Sequence, residues 1–198
     1  MKINTRTLAA NALLCGITVL LGFTPLGMIP LPPPLLSPTT VHIPVLIATL
    51  YLGYKSGLVV AICFGLVSFL RALQAPVGMS VFFINPLIAI LPRLMIPTIA
   101  YLSYHGFKKI IRNNYICLVL AAALGSFANT IFTLSSIFIF YNEQLTNIIS
   151  SAAGNNESAV NAAKYLFYVI AIPYGTSEAI LSGILVPAVV SGLNKSLK

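Results

Sequence analysis

The sequence predicts an all-α integral membrane protein, one domain over residues 1–198 with six transmembrane helices and both termini cytoplasmic. Three observations carry that expectation. The chain is 58% hydrophobic and only 7% charged, against about 25% charged residues in a soluble domain. With so few charges, lipid is the surface this chain can present at no cost, and the mean hydropathy of +0.96 agrees. Apolar runs recur along the whole length, and at roughly 20 residues per span 198 residues hold about six. The cations are also unevenly distributed along the chain.

The first span is read at about residues 8–28. Lys2 and Arg6 ahead of it resemble the start of a signal peptide, but at least four more apolar runs follow, so it is read as a retained span. Pro30, Pro32, Pro33, Pro34 and Pro38 then exclude regular helix, because each removes a donor and clashes with the preceding turn. Span two is short, about residues 40–54, and Gly53 to Gly57 reads as a tight turn. Span three, about residues 58–70, is short too. Two such segments beside a proline-rich loop are expected to line a cavity rather than both to cross as straight, lipid-facing helices. Span four, about residues 81–104, is interrupted by Pro86, Pro92 and Pro97. Span five covers about residues 115–140, a polar segment follows over 141–164, and span six covers about 165–190.

With six spans and a cytoplasmic N-terminus, Lys2, Arg6, Lys55, Lys108, Lys109, Arg112, Lys195 and Lys198 fall inside. Only Lys164 and the boundary residue Arg71 fall outside, with Glu143 and Glu157. Such asymmetry favours both termini inside. It explains the net charge of +8 without nucleic acid, for which no basic stripe interleaved with aromatics exists.

The chemistry of the chain is sparse. There is no phosphate-cradling Gly-x-x-x-x-Gly-Lys-Ser/Thr run, no His-Glu-x-x-His and no intramembrane carboxylate pair, so nothing supports an enzyme. Cys15, Cys63 and Cys117 are scattered in apolar segments and read as small core residues, so no metal site is expected. Charges within spans are costly and are either functional or paired. Arg93 and Glu178 both sit about 18–20 Å deep from the outer side at 1.5 Å per residue. They either form an ion pair or offer one member to a solute. Arg71, Asn85, His42, Gln74 and Tyr174 could ring a polar pocket near the outer surface, where an arginine can grip a carboxylate with two parallel hydrogen bonds. Snorkelling of Arg71 to the interface and a loop-holding hydrogen bond of His42 are the plain alternatives. Asn129 is expected to make a structural hydrogen bond. Ala9, Ala12 and Gly16 give α-helical span one a small-residue face that permits close helix approach, internal or with a partner.

Several stretches resemble the substrate-binding S components of energy-coupling factor (ECF) vitamin transporters. They are Phe23 to Pro30, Thr39-Thr40-Val41-His42-Ile43-Pro44-Val45, Leu52 to Gly57, Phe64 to Ser68, Asn85-Pro86 and Leu91-Pro92-Arg93. The resemblance is nearest to the pantothenate-type proteins and covers about the first half of the chain. It implies a six-helix subunit of the bacterial cytoplasmic membrane that binds one vitamin at the outer side. It implies no cofactor in this chain. ATP would be used by two partner ATPase subunits, joined through a membrane scaffold subunit against which the S component topples. The family's contact motif, Ala-x-x-x-Ala, has its nearest match in Ala12-x-x-x-Gly16. Pantothenate is the expected ligand, another vitamin such as cobalamin the alternative. A stand-alone secondary carrier would have to use Glu178, the sole acid within a span, as its proton site. A structural membrane subunit without a solute is the third reading.

Overall fold

The computed structural model describes residues 5–27, 39–76, 78–153 and 172–196. The proline-rich stretch, Lys2, Glu157, Lys164 and Lys198 lie outside the described residues. The first helix, α1 (Thr5–Phe23), runs into a 3₁₀ turn, Pro25–Gly27. A short helix α2 (Ile43–Ile47) continues as a π turn, Ala48–Leu52. Helix α3 spans Tyr54–Gln74, and a 3₁₀ segment, Gly78–Ile84, leads to α4 (Pro86–Ile110). Helices α5 (Asn114–Ala153) and α6 (Ile172–Ser196) complete the described fold.

Five helices are long and apolar enough to cross a membrane, and Ile43–Leu52 is a shorter apolar helix. Around the bundle α1 packs on α3, α3 on α4, α4 on α5 and α5 on α6, while α2 touches all five and fills the centre. The main core forms where α2 meets its neighbours: Val45, Leu46 and Ala48 pack with Val60, Ile96, Ala100, Leu118, Ala122 and Val186. Large apolar side chains such as Leu13, Leu20, Ile180 and Ile184 line the outside, a surface that suits acyl chains.

Local chemistry sets the boundaries. Pro44 stands in the first turn of α2, where its missing N–H costs nothing. Gly53 has φ of 104°, a left-handed conformation that side chains disfavour, and it separates the π turn from α3. Gly57 N–H donates to Gly53 O at 3.1 Å. The expected tight turn over Gly53 to Gly57 is therefore one residue wide, and α3 is long enough to span instead of being cut short. Asn85 caps α4, its side-chain oxygen accepting from Leu87 N–H at 3.0 Å, with Pro86 in the first turn. Pro86 thus starts the helix, while Pro92 and Pro97 lie inside it without ending it. The fifth helix also outruns the expected span. It breaks at Tyr141 (φ −135°, ψ 34°), where the ring packs on Phe82 at 5.4 Å and the hydroxyl takes Asn85 Nδ2 at 3.4 Å. Helix then resumes as far as Ala153, in a stretch expected to be a polar connection.

Close packing between α3 and α4 depends on Gly65. A Cβ there would stand 3.0 Å from Ile90 Cα and 3.1 Å from Ala89 O, both backbone atoms. Gly65→Val should therefore force the helices apart and lower thermal stability by about 1–3 kcal/mol. A melt of the detergent-purified variant at or above the wild-type temperature would contradict this packing.

Candidate functional site

A cavity of about 260 Å³ opens at the bundle end that carries Gly22, Thr39, Arg71 and Ser80, opposite the end that carries Lys55, Lys108 and Lys195. Residues from α1, α3, α4, α5 and α6 converge on it, with Phe64, Phe83, Val67, Leu134 and Ile137 as apolar wall. Its polar lining is chiefly Arg71, Arg93, Asn129, Thr130, Thr133, Tyr174 and Glu178.

Arg93 is placed by the residue before it. Pro92 has no N–H, so the carbonyl of Ile88, four residues back, lacks its helical donor. Arg93 Nη1 donates to that carbonyl at 3.1 Å and to Thr133 Oγ1 at 3.3 Å. The guanidinium lies over two rings, its Cζ 4.5 Å from the Phe83 centroid and 5.2 Å from that of Phe64. Flat rings on a flat cation hold it without using its donors. Its Nε–H is buried with no partner among the described residues.

Glu178 does not complete an ion pair with Arg93 among the described residues. Its Oε1 accepts from Thr39 N–H at 2.8 Å and from Thr39 Oγ1 at 3.0 Å, and its Oε2 accepts from Thr130 Oγ1 at 3.3 Å. The pairing considered from equal depth is thus replaced by two separate engagements on one cavity wall. Three donors from α5 and the segment before α2 already occupy the carboxylate. Asn129 also departs from expectation. Its side chain makes no hydrogen bond among the described residues, and its buried Oδ1 has no partner. The residue expected to make a structural hydrogen bond lines the cavity instead.

The remaining predicted residues divide. Arg71 and Tyr174 line the cavity, and Arg71 Nη1 also donates to Gly22 O at 2.8 Å. His42 does not line it. Fully buried, its Nε2 lies 2.7 Å from Ser182 Oγ and 3.0 Å from Ser126 Oγ, so it ties the start of α2 to α5 and α6. Asn85 is occupied as the cap of α4, and Gln74 is exposed at the end of α3. Ala9, Ala12 and Gly16 are exposed on α1, and a Cβ on Gly16 would meet nothing within 4 Å. That face is not consumed by packing within the bundle. Sequence reasoning missed Phe64, Phe83, Thr130 and Thr133. Thr133, four residues after Asn129 on α5, shared its helical register, whereas Phe64 and Phe83 lie on other elements and become visible only once the helices are paired.

Fold and cavity together define a multi-pass helical membrane protein with a solute-sized cavity among its helices. The sequence model of the family described as "ECF transporter, substrate-specific component" matches residues 6–190, and the chain belongs to that family. It is a substrate-binding subunit of an ECF transporter. It is 29% identical over 173 residues to the pantothenic acid transporter PanT of Lactococcus lactis subsp. cremoris (strain MG1363), covering 80% of this chain and 79% of that protein. The solved S component of a bacterial ECF transporter superposes with a TM-score of 0.54 at 20% identity, over 98% of this chain and 95% of that one. That likeness concerns the fold.

Pro92→Ala supplies the N–H that Ile88 O lacks, and so competes with Arg93 for it. An alanine in the helix interior is also favoured over proline by about 3 kcal/mol. The variant should melt at or above the wild-type temperature yet bind its solute about tenfold more weakly, one hydrogen bond's worth. Titrating solute against both proteins checks it, and unchanged affinity would refute the positioning role of Pro92.

Proposed function

We propose that this subunit binds pantothenate, with both termini cytoplasmic, Ile43–Leu52 serving as the short second of six passes, and the cavity at the outer side. The observation that carries the reading is that Arg93 and Asn129, which line one cavity, each keep a buried polar atom, Nε and Oδ1, without a hydrogen-bond partner among the described residues. Together they offer a charged donor and an amide acceptor, which match a carboxylate and a hydroxyl or amide N–H on one compact solute. Arg71, Thr133 and Tyr174 supply further polar contacts, and Phe64 and Phe83 cover the carbon skeleton. The relative named a pantothenic acid transporter supports the same ligand. A cavity of about 260 Å³ suits a compact vitamin and is far too small for the corrin ring of cobalamin. The end rich in lysine and arginine supports the orientation through the positive-inside rule.

In this reading the chain holds no cofactor and hydrolyses nothing. It binds the vitamin, and a membrane scaffold subunit with two ATPases drives release into the cell of a bacterium. The exposed Ala9, Ala12 and Gly16 face of α1 is where the scaffold docks, since small residues let another helix approach closely. His42, Asn85 and Gln74 take no direct part in ligand contact.

The test is thermal unfolding of the purified protein against a panel of vitamins that includes pantothenate and cobalamin. Pantothenate at 100-fold over its Kd should stabilise by about 2.7 kcal/mol, and a shift with a different vitamin, or none, would sink the reading. Arg93→Met should cost about 1.5–3 kcal/mol of affinity, a factor of roughly 10 to 150. Uptake should survive Glu178→Gln in cells that hold the ATPase subunits and fail in cells without them. Loss of uptake in Glu178→Gln despite intact vitamin binding would instead favour a proton-coupled carrier.

A further inference from the structure

The bundle end opposite the cavity carries a cluster that the solute site does not use. Arg6, Lys55, Lys108, Lys109, Arg112 and Lys195 all lie there, whereas among the described residues no acid does. Glu143 follows the Tyr141 break at the cavity end, and Glu178 lines the cavity.

One corner of this end is ordered by stacked rings. Tyr54 at the start of α3 packs on Tyr101 of α4 at 5.5 Å between centroids. The His105 ring lies 4.1 Å from Tyr101 and meets Tyr104 edge-on at 5.5 Å. Lys108 Nζ stands 5.3 Å over the Tyr104 ring. Two bonds fix the rings: Tyr104 donates to Asn114 Oδ1 at 2.7 Å, and His105 Nδ1–H donates to Tyr101 O at 2.9 Å. The second bond commits Nδ1 as the protonated nitrogen and leaves Nε2 without a protein partner among the described residues. On the same stretch of α4, Leu102 is 62% exposed and Ile110 83% exposed.

We propose that the corner formed by Tyr54, Lys55, Tyr101, His105 and Lys108 binds the headgroup of an anionic phospholipid. Three features of the corner match three parts of that molecule. Lys55 and Lys108 meet the phosphate, and the outward nitrogen of His105, an acceptor while Nδ1 holds the proton, takes a hydroxyl of the headgroup. The tyrosines sit at the level where amphipathic rings favour the membrane interface, and Leu102, about two turns deeper along α4 than Lys108, meets the acyl chains. An acidic protein surface would match the cations alone and leave that apolar surface bare. Basic clusters beside a membrane helix attract anionic lipids by this chemistry.

Native mass spectrometry of the detergent-purified protein, titrated in turn with phosphatidylglycerol and phosphatidylcholine, tests the proposal. Phosphatidylglycerol should bind the wild type more tightly, and added salt should weaken that preference. The double variant K55Q/K108Q should lose roughly fivefold in affinity per cation, about thirtyfold together, with phosphatidylcholine binding and melting temperature unchanged. Equal affinity for the two lipids, or undiminished phosphatidylglycerol binding by K55Q/K108Q, would overturn the assignment. So would a variant that keeps the lipid but no longer assembles with the ATPase-bearing complex, because the face would then belong to a protein partner.

Discussion

At Pro92 the fourth helix lacks one hydrogen bond, and the Ile88 carbonyl left over takes the guanidinium of the next residue. Much of the site depends on that exchange. A buried carbonyl in a membrane protein has no water to turn to, and a buried arginine needs compensation for its charge. Each defect answers the other. Arg93 is thereby held inward, over the rings of Phe64 of α3 and Phe83 of the 3₁₀ segment, with a hydrogen bond to Thr133 of α5. One side chain joins three parts of the bundle while part of its donor set stays unused.

The other polar groups of the spans sort by the same criterion. Thr18, Thr49, Thr98, Ser103, Ser136 and Thr176 each return their hydroxyl to the carbonyl four residues earlier, so they ask nothing of their surroundings. His42 joins Ser126 and Ser182 into a buried polar link between α2, α5 and α6. Glu178 is occupied by Thr39 and Thr130. Arg93 Nε and Asn129 Oδ1, on residues that line the cavity, are among the buried atoms left without a partner among the described residues. In a hydrophobic bundle an unmet buried polar atom is expensive.

How much of this was legible varied by element. A proline at 92 and an intramembrane charge at Arg93 were each visible in span four, but not that one places the other. Depth along two helices suggested that Arg93 and Glu178 should pair, but depth does not report azimuth, and the carboxylate turns to the segment before α2 instead. Polarity near the outer surface grouped His42, Asn85 and Gln74 with Arg71 and Tyr174. It could not tell a cap, a buried brace or an exposed helix end from a cavity wall. Asn129 was visible as a lone amide in span five. Its unpaired state depends on which residues of α4 and α6 lie opposite.

The sequence by itself determined that this chain lives in lipid, that its spans are helical and that its cations gather at one end. Those properties are sums over composition and one-dimensional pattern, and no long-range contact can alter them. The tertiary structure alone decided that the short α2 sits at the centre of the bundle, that α3 is long, and which polar side chains share a cavity. These outcomes turn on helix rotation and close approach, as at Gly65 against the backbone of Ala89 and Ile90. A rotation of one residue, about 100° on a helix of 3.6 residues per turn, would turn a cavity wall into a lipid face without changing a letter of the sequence.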